Sequence, residues 1–303
     1  MKYDIVIIGA GPAGLSAAVY ARRAGLTVAV LEQNIYGGQI VNTPEVENYP
    51  GVGRQTGVEL AMALYNQAAE TGADIILEGV TEVRLQQDPK VVVTAGGEYE
   101  AGAVIIANGA KRRLLGCPGE DTFSGRGVSY CATCDGAFFR GMEVSIVGGG
   151  NTALEDALFL ANNCSKVYLI HRRDQFRGSK ILADAVVAKP NIEILYDSTV
   201  EEVTGSTKVE AIRVRNKLSG EEKTLPVAAL FVAVGLAPEN SLFAGQVELS
   251  EAGYITAGED CATSCAGVFV AGDTRTKELR QIVTAAADGA VAATAAARWL
   301  DTH

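Results

Sequence analysis

The stretch Asp4-Ile5-Val6-Ile7-Ile8-Gly9-Ala10-Gly11-Pro12-Ala13-Gly14 decides the fold. Its first half is an unbroken apolar run, as a parallel strand covered on both faces requires. Its second half is a loop with the spacing Gly-x-Gly-x-x-Gly. Leu15 to Arg23 then reads as a helix stopped by Gly25, and Thr27 to Leu31 as a second strand ending on Glu32. Strand, glycine loop, helix, strand, acid is the order of a βαβ unit whose loop receives a pyrophosphate. The first glycine makes the tight turn, the second lets phosphate reach the backbone, and the third lets helix pack on strand. The helix N-terminus adds its partial positive charge.

The same order returns at mid-chain. Glu143 to Val147 is a strand, Gly148-Gly149-Gly150-Asn151-Thr152-Ala153 a glycine loop, Ala153 to Ala161 a helix, and Lys166 to Ile170 a strand followed by His171-Arg172-Arg173. Gly9 to Glu32 is 23 positions, and so is Gly148 to His171. One order repeated at one spacing predicts an α/β chain with two Rossmann-like three-layer dinucleotide-binding domains. Near the end, Gly267 to Ala271 reads as a strand running into Gly272-Asp273, with a helix from about Gln281. That pattern suits a cofactor site of the first domain. The first domain is then discontinuous, with the second inserted into it: residues 1–112 and 241–303 around 113–240. Gly109, Gly116-Cys117-Pro118-Gly119, Gly235 and Pro238 punctuate the crossovers. Segments around 75–105 and 192–234 carry short strands that read as small antiparallel additions.

The two units differ after their second strand. Glu32 suits hydrogen bonds from ribose hydroxyls, as in FAD or NAD. Arg172, Arg173 and the nearby Arg177 suit a 2′-phosphate held bidentately, so the second site reads as NADPH.

Composition bounds the rest. A chain of 303 residues is expected to form about two domains. A net charge of −10 argues against a general nucleic-acid binder and offers no polybasic membrane anchor. Two histidines, His171 and His303, exclude multi-histidine metal sites, and no metal is expected. Six cysteines in this length do not make a disulfide-dense secreted scaffold. Ile282 to Leu300, alanine-rich with Asp288, Gly289 and Arg298, reads as a packed helix and not a membrane span. With no targeting signal at the start, a cytoplasmic location is expected.

Cys131-Ala132-Thr133-Cys134-Asp135-Gly136 precedes the second glycine loop. A CxxC of this kind is redox-active or metal-binding. Zinc needs four ligands, and neither a second CxxC nor a nearby histidine supplies them. Cys261 and Cys265 have a ligand-like spacing but precede a buried-looking strand, and Cys117 and Cys164 stand alone as small apolar thiols. Thiol exchange also needs a proton carrier. With histidine scarce, Asp135 is the nearest candidate, since a buried carboxyl has a raised pKa.

Taken together these motifs resemble the low-molecular-weight, bacterial-type thioredoxin reductases over essentially the whole chain. The residues that carry the resemblance are Gly9 to Gly14, Gly37-Gly38-Gln39, Glu45 to Gly51, Cys131 to Gly136, Gly148 to Gly150, His171-Arg172-Arg173, Gly272-Asp273 and Arg280-Gln281. The resemblance implies an FAD domain made from both chain ends, an inserted NADPH domain carrying a redox disulfide, a homodimer, and a thioredoxin-like acceptor. It makes Cys134 the flavin-proximal thiol and Cys131 the one that attacks the partner. It places Gly9, Gly11, Pro12, Ala13, Gly14, Glu32, Gln33, Gly38, Gln39, Asn48, Ala107, Gly272, Asp273, Arg280, Gln281 and Ile282 at FAD. It places Gly148, Gly150, Asn151, Thr152, Ala153, His171, Arg172, Arg173 and Arg177 at NADPH. Because loop and disulfide share one domain while the flavin sits in the other, it also implies domain rotation between half-reactions. Asn151-Thr152 departs from the Asp-Ser more usual there, removing a negative charge. Two further readings keep the fold and the CxxC: a ferredoxin-dependent flavin thioredoxin reductase, and a flavin dithiol oxidase. A third reading, from another class, is a flavin- or nucleotide-binding redox sensor without turnover. The intact second glycine loop and the arginine cluster argue against the first two, and Cys131 and Cys134 beside Asp135 argue against the sensor.

Overall fold

A computed structural model describes residues 1–43 and 45–303, Leu236 by its backbone alone. The chain forms two units, Met1–Lys111 with Ala237–His303, and Arg112–Leu236. The first holds β1 (Lys2–Ile8), α1 (Pro12–Arg23), β2 (Val28–Leu31), α2 (Gly57–Glu70), β3 (Asp74–Ile76), β4 (Val80–Arg84), β5 (Lys90–Thr94), β6 (Gly97–Ile106) and most of β7 (Ala110–Arg112). The second holds β8 (Val128–Ser129), α3 (Ala132–Asp135), β9 (Glu143–Gly148), α4 (Asn151–Ala161), β10 (Lys166–Ile170), α5 (Lys180–Ala188), β11 (Ile192–Leu195), β12 (Ser198–Gly205), β13 (Val209–Asn216), β14 (Glu222–Pro226) and β15 (Ala229–Ala233). After β16 (Leu236–Pro238) the chain returns to the first unit with β17 (Val268–Val270) and α6 (Ile282–Leu300).

The first unit is built on a sheet of order β3-β2-β1-β6-β5-β4, with β17 on β6. β6 is long enough to serve two partners on one edge: residues 97–101 pair antiparallel with β5, and residues 104–106 pair parallel with β17. Its other edge pairs parallel with β1. The apolar run of β1 is continuous because both sheet faces are covered. Ile5 and Ile7 pack with the alanines of α1 and α6, whereas Val6 and Ile8 pack with Tyr99, Val104 and Phe243. Each such side chain taken out of water contributes about 1.5–3 kcal/mol. α1 begins at Pro12 rather than Leu15, because proline at the first helical turn needs no amide hydrogen and has its φ preset. α1 and α6 approach closely through small residues: a Cβ on Gly289 would stand 2.1 Å from the Ala13 carbonyl oxygen. Ser16 Oγ donates across the seam to Ala286 O at 2.7 Å.

The second unit repeats this core with the parallel sheet β11-β10-β9-β15-β8 and adds the antiparallel sheet β12-β13-β14. The segments read as antiparallel additions are therefore mixed. β4 and β5 in the first unit and β12 to β14 in the second are antiparallel. Each segment opens with a strand, β3 or β11, that extends the parallel sheet instead. These two edge strands are only partly covered, and in β11 the polar Glu193 between Ile192 and Ile194 gives the alternation of an antiparallel strand.

Candidate functional site

In the first glycine loop, Gly9 has φ +106°, and a Cβ there would sit 2.4 Å from the Ala107 carbonyl oxygen. Gly14 supports the close packing of helix on strand, since its Cβ would lie 1.8 Å from Gly9 O. Gly11, by contrast, has nothing within 4 Å of that position, and the start of α1 has no side-chain cap. The first turn of α1 thus opens beside uncrowded backbone with no side chain capping its N–H groups, as an anion site requires. Gly38 packs on Gly11, and Gly272 on Ala13. The structure thus gathers Gly9, Gly11, Ala13, Gly38, Ala107 and Gly272, residues far apart in the chain, around one loop.

Glu32 closes β2 and turns back on the loop. Its carboxylate accepts the Ala10 N–H and the Asn34 N–H, each at 2.9 Å. Gln33 beside it is exposed and covers Gly79. Gln39 donates to Ala110 O. Asn48 donates to Gln281 Oε1 at 3.0 Å, just before Ile282 opens α6. Arg280 holds the Asp273 carbonyl at 3.2 Å and stacks on Tyr254. Among the described residues, Asp273 Oδ1 is buried without a partner, as is Asn108 Oδ1. Burial pushes the Asp273 carboxyl up, with Lys277 and Arg280 opposing. Two orphaned buried acceptors and an open glycine loop fit a large, donor-bearing group such as a flavin dinucleotide.

Asp288 is a residue the sequence reading did not assign to the site. Its carboxylate takes Arg275 bidentately at 2.9 Å and 2.9 Å, Lys277 at 2.8 Å and the Gly272 N–H at 3.0 Å. Burial opposes ionisation, but Arg275 and Lys277 hold the carboxyl below its usual range. It fixes the turn that carries Asp273. The signal was one acid in an alanine-rich helix.

In the second loop a Cβ on Gly148 would meet Ala153 and Ala233, both at 2.5 Å, whereas Gly150 has open space. Ala153 occupies the third position and is fully buried. Arg177 N–H and Gly178 N–H both bond Gly149 O, at 2.7 and 3.0 Å, and Ser179 N–H bonds Asn151 Oδ1 at 2.7 Å. The segment 171–179 is thereby folded onto the loop. Arg172, Arg173 and Arg177 are exposed and, among the described residues, have no ion-pair partner. Thr152 is exposed as well. His171 turns inward: it is 5% exposed, packs against Gly149 and donates from Nε2 to Gln175 O at 2.9 Å. It props the loop from beneath while the arginines point out. Open loop and unpaired arginines fit a phosphorylated dinucleotide.

Cys131 and Cys134 form a disulfide with Cα atoms 5.3 Å apart, allowed because Ala132–Asp135 is a single helical turn. Asp135 follows directly, and its Oδ2 accepts the Ser129 hydroxyl at 2.6 Å. Ser129 Oγ also accepts the Cys131 N–H at 3.1 Å. Burial pushes the Asp135 carboxyl up, and the Ser129 bond works against it. Ser129, another residue the sequence reading passed over, ties the acid to the disulfide turn. The remaining thiols are pushed up by burial, Cys117 and Cys261 to about 11, which makes them poor nucleophiles. Among the described residues no group of three or more His, Cys, Asp or Glu is placed to hold a metal, and no helix is long and apolar enough to cross a membrane.

Two dinucleotide loops and a CxxC disulfide beside a carboxyl define a nucleotide-dependent dithiol oxidoreductase. The profile of the pyridine nucleotide-disulphide oxidoreductases matches residues 3–289, and the chain belongs to that family, among its thioredoxin reductases. It is 43% identical to a thioredoxin reductase of Peptoclostridium acidaminophilum, over 99% of this chain and 98% of that one. The solved thioredoxin reductase of Streptococcus pyogenes MGAS5005 superposes with a TM-score of 0.94 at 41% identity, over 100% of this chain and 99% of that one. That of Giardia duodenalis gives 0.95 at 40%, over 99% of each chain.

Proposed function

We propose that the chain is an NADPH-dependent thioredoxin-disulfide reductase. In this reading the first unit holds FAD, the second holds NADPH, and Cys131–Cys134 is the centre that exchanges with a thioredoxin-like protein. The observation that carries it is the Cys131–Cys134 disulfide with the half-buried Asp135 attached through Ser129. A homodimer and a cytoplasmic location belong to the same reading, supported by the family likeness.

The residues named around Gly9, Glu32, Asp273 and Gln281 would hold the flavin, and those around Gly150 and Arg172 the nicotinamide nucleotide. When bound, the flavin supplies the two-electron step that opens the Cys131–Cys134 bond, with NADPH as the source. The chain's own residues do the rest. Cys134 and Cys131 accept two electrons and become a thiolate and a thiol, and Asp135 holds or releases the proton between them. Cys131 thiolate then attacks the partner's disulfide, forming a mixed disulfide and expelling one partner thiolate, which takes a proton. Cys134, its proton passed on, attacks Cys131 Sγ as the thiolate, re-forms the intramolecular bond and expels the second partner thiolate, which takes a proton from solvent. A carboxyl raised by burial keeps its proton at higher pH than an exposed one, which is what a donor to a leaving thiolate needs.

Anaerobic titration tests the reading. NADPH is expected to bleach the flavin's visible absorbance, and oxidised thioredoxin to restore it. Failure to bleach with NADPH, with bleaching by reduced ferredoxin, overturns NADPH as donor. Bleaching without recovery on thioredoxin overturns the acceptor. Asp135→Asn is expected to slow dithiol formation with flavin content unchanged; an unaltered rate removes Asp135 from the mechanism.

A further inference from the structure

A half-open cleft of about 620 Å³ lies in the first unit, on no surface used above. Its walls include Leu85 and Leu300, and its polar lining includes Lys90, Asp88, Trp299 and His303. Lys90 projects from β5 and is only 5% exposed. Among the described residues its ammonium group has neither a hydrogen bond nor an ion pair. Asp88, on the rim, is exposed and makes no ion pair with it. The neighbouring Cys265 supplies no counter-charge: burial pushes its thiol up despite Lys90, and it donates to Leu85 O at 3.3 Å. The Lys90 stem is buried while its ammonium reaches the open cleft, a cation that the protein does not pair and that is free to take an anion.

A second donor points the same way. If Gly267 carried a Cβ, that atom would stand 2.7 Å from Trp299 Nε1 and 2.8 Å from Lys90 Nζ. The indole N–H, like the ammonium, has no acceptor among the described residues. The two donors therefore converge within reach of a single anion, and φ +71° at Gly267 keeps the place beside them free of a side chain. The stacked rings of Trp299 and His303, 3.5 Å between centroids, and the aliphatic Leu85 and Leu300 continue the wall beyond them.

We propose that this cleft is a binding site for a small organic carboxylate, its two oxygens taken by Lys90 Nζ and Trp299 Nε1 and its apolar body lying along Leu85, Leu300 and the Trp299–His303 stack. The chain has one tryptophan, so the nitrogen-15 indole resonance of the flavin-loaded protein reads this site alone. Titration to millimolar benzoate is expected to shift that resonance saturably and to raise the unfolding temperature. Inorganic phosphate, with the charge but not the apolar body, is expected to do neither. Lys90→Met keeps the buried stem and removes the charge, so it should weaken benzoate binding about tenfold or more. In buffer free of these anions it should unfold at about the parent's temperature, because it keeps the buried stem and removes a cation that the protein does not pair. The proposal is overturned by no saturable shift with benzoate, by an equal response to phosphate, or by an unchanged benzoate affinity in Lys90→Met. Marked destabilisation of Lys90→Met without ligand also overturns it, since Lys90 would then have a counter-charge within the protein.

Discussion

The two glycine-loop units share strand, loop, helix and strand, yet place their charges in opposite ways. In the first, the half-buried Glu32 is spent on the Ala10 and Asn34 amides, and the buried Asp288 is compensated by Arg275, Lys277 and the Gly272 amide. In the second, Arg172, Arg173 and Arg177 stand exposed and, among the described residues, without ion-pair partners. A satisfied buried network fixes the backbone around a site before any ligand arrives, as suits a resident group. Exposed unpaired cations bind and release a phosphate quickly, and are screened by salt, as suits a nucleotide that must exchange.

The largest expected effect bears on the buried side of this contrast. Asp288→Asn leaves Arg275 and Lys277 buried beside a neutral amide, which should cost about 3–5 kcal/mol. Thermal unfolding of the flavin-loaded protein measures it, and flavin should be lost more readily as the Gly272 turn loosens. A loss below about 1 kcal/mol would mean the network does not hold the turn, and the contrast fails on that side.

On the exposed side, Arg172→Ala with Arg173→Ala removes two charge-assisted contacts, each worth roughly 1.5–3 kcal/mol. The KM for NADPH should rise about a hundredfold or more, with the KM for NADH and the flavin content unchanged. An unaltered NADPH/NADH preference would detach these arginines from the nucleotide.

The third position of each loop gives a smaller, structural test. Gly14→Ala drives a methyl into Gly9 O and should destabilise by about 1–3 kcal/mol. The second unit already carries that methyl at Ala153, where Ala153→Gly should cost about 1 kcal/mol through helix propensity and lost packing. Equal, negligible losses would show that the two loops do not differ in how tightly helix meets strand.

Much of this was legible because the governing physics is local. An apolar run, a glycine spacing and the residue closing the second strand located both βαβ units, and β1, β10 and α6 fall within two residues of where the sequence puts them. The reach of β6 was not legible, since its division between β5 and β17 is set by strands far away in the chain. α2 announces itself through the Thr56–Glu59 capping box, a signal present in the sequence and not used. His171 shows the limit at the site: its place after β10 marks it as a nucleotide contact, but its orientation depends on the missing side chain of Gly149, against which the ring lies. Asp288 and Ser129 act through backbone amides and neighbouring side chains that only the folded chain assembles.

The finest test of the contrast is its dependence on pH. Asp156, on α4 of the second unit, is pushed up to about 6 by burial and by the adjacent Glu155. Asp288 in the first unit is held below 3.8 by its cations, against its burial. For Asp156 the folded state binds a proton that the unfolded state has already released. Its contribution is full below the unfolded value of 3.8 and is lost as pH rises through about 6. For Asp288 the sign reverses: its contribution is present above 3.8 and is lost only as pH falls through its lower folded value. Between about pH 4 and about pH 7 Asp156 should therefore cost the second unit stability, whereas Asp288 costs the first none; Asp273, also pushed up by burial, works in the same direction as Asp156. Because Asp156 is partly exposed, solvent screening reduces the loss to about 1 kcal/mol. Hydrogen exchange followed in α4 reads the Asp156 contribution: protection there should fall with pH after correction for intrinsic rates. Asp156→Asn should flatten the α4 profile and stabilise the second unit at neutral pH. An α4 profile already flat in the parent would mean that Asp156 is as well solvated as a surface carboxylate, and that the second unit buries no uncompensated charge to set against the compensated cluster of the first.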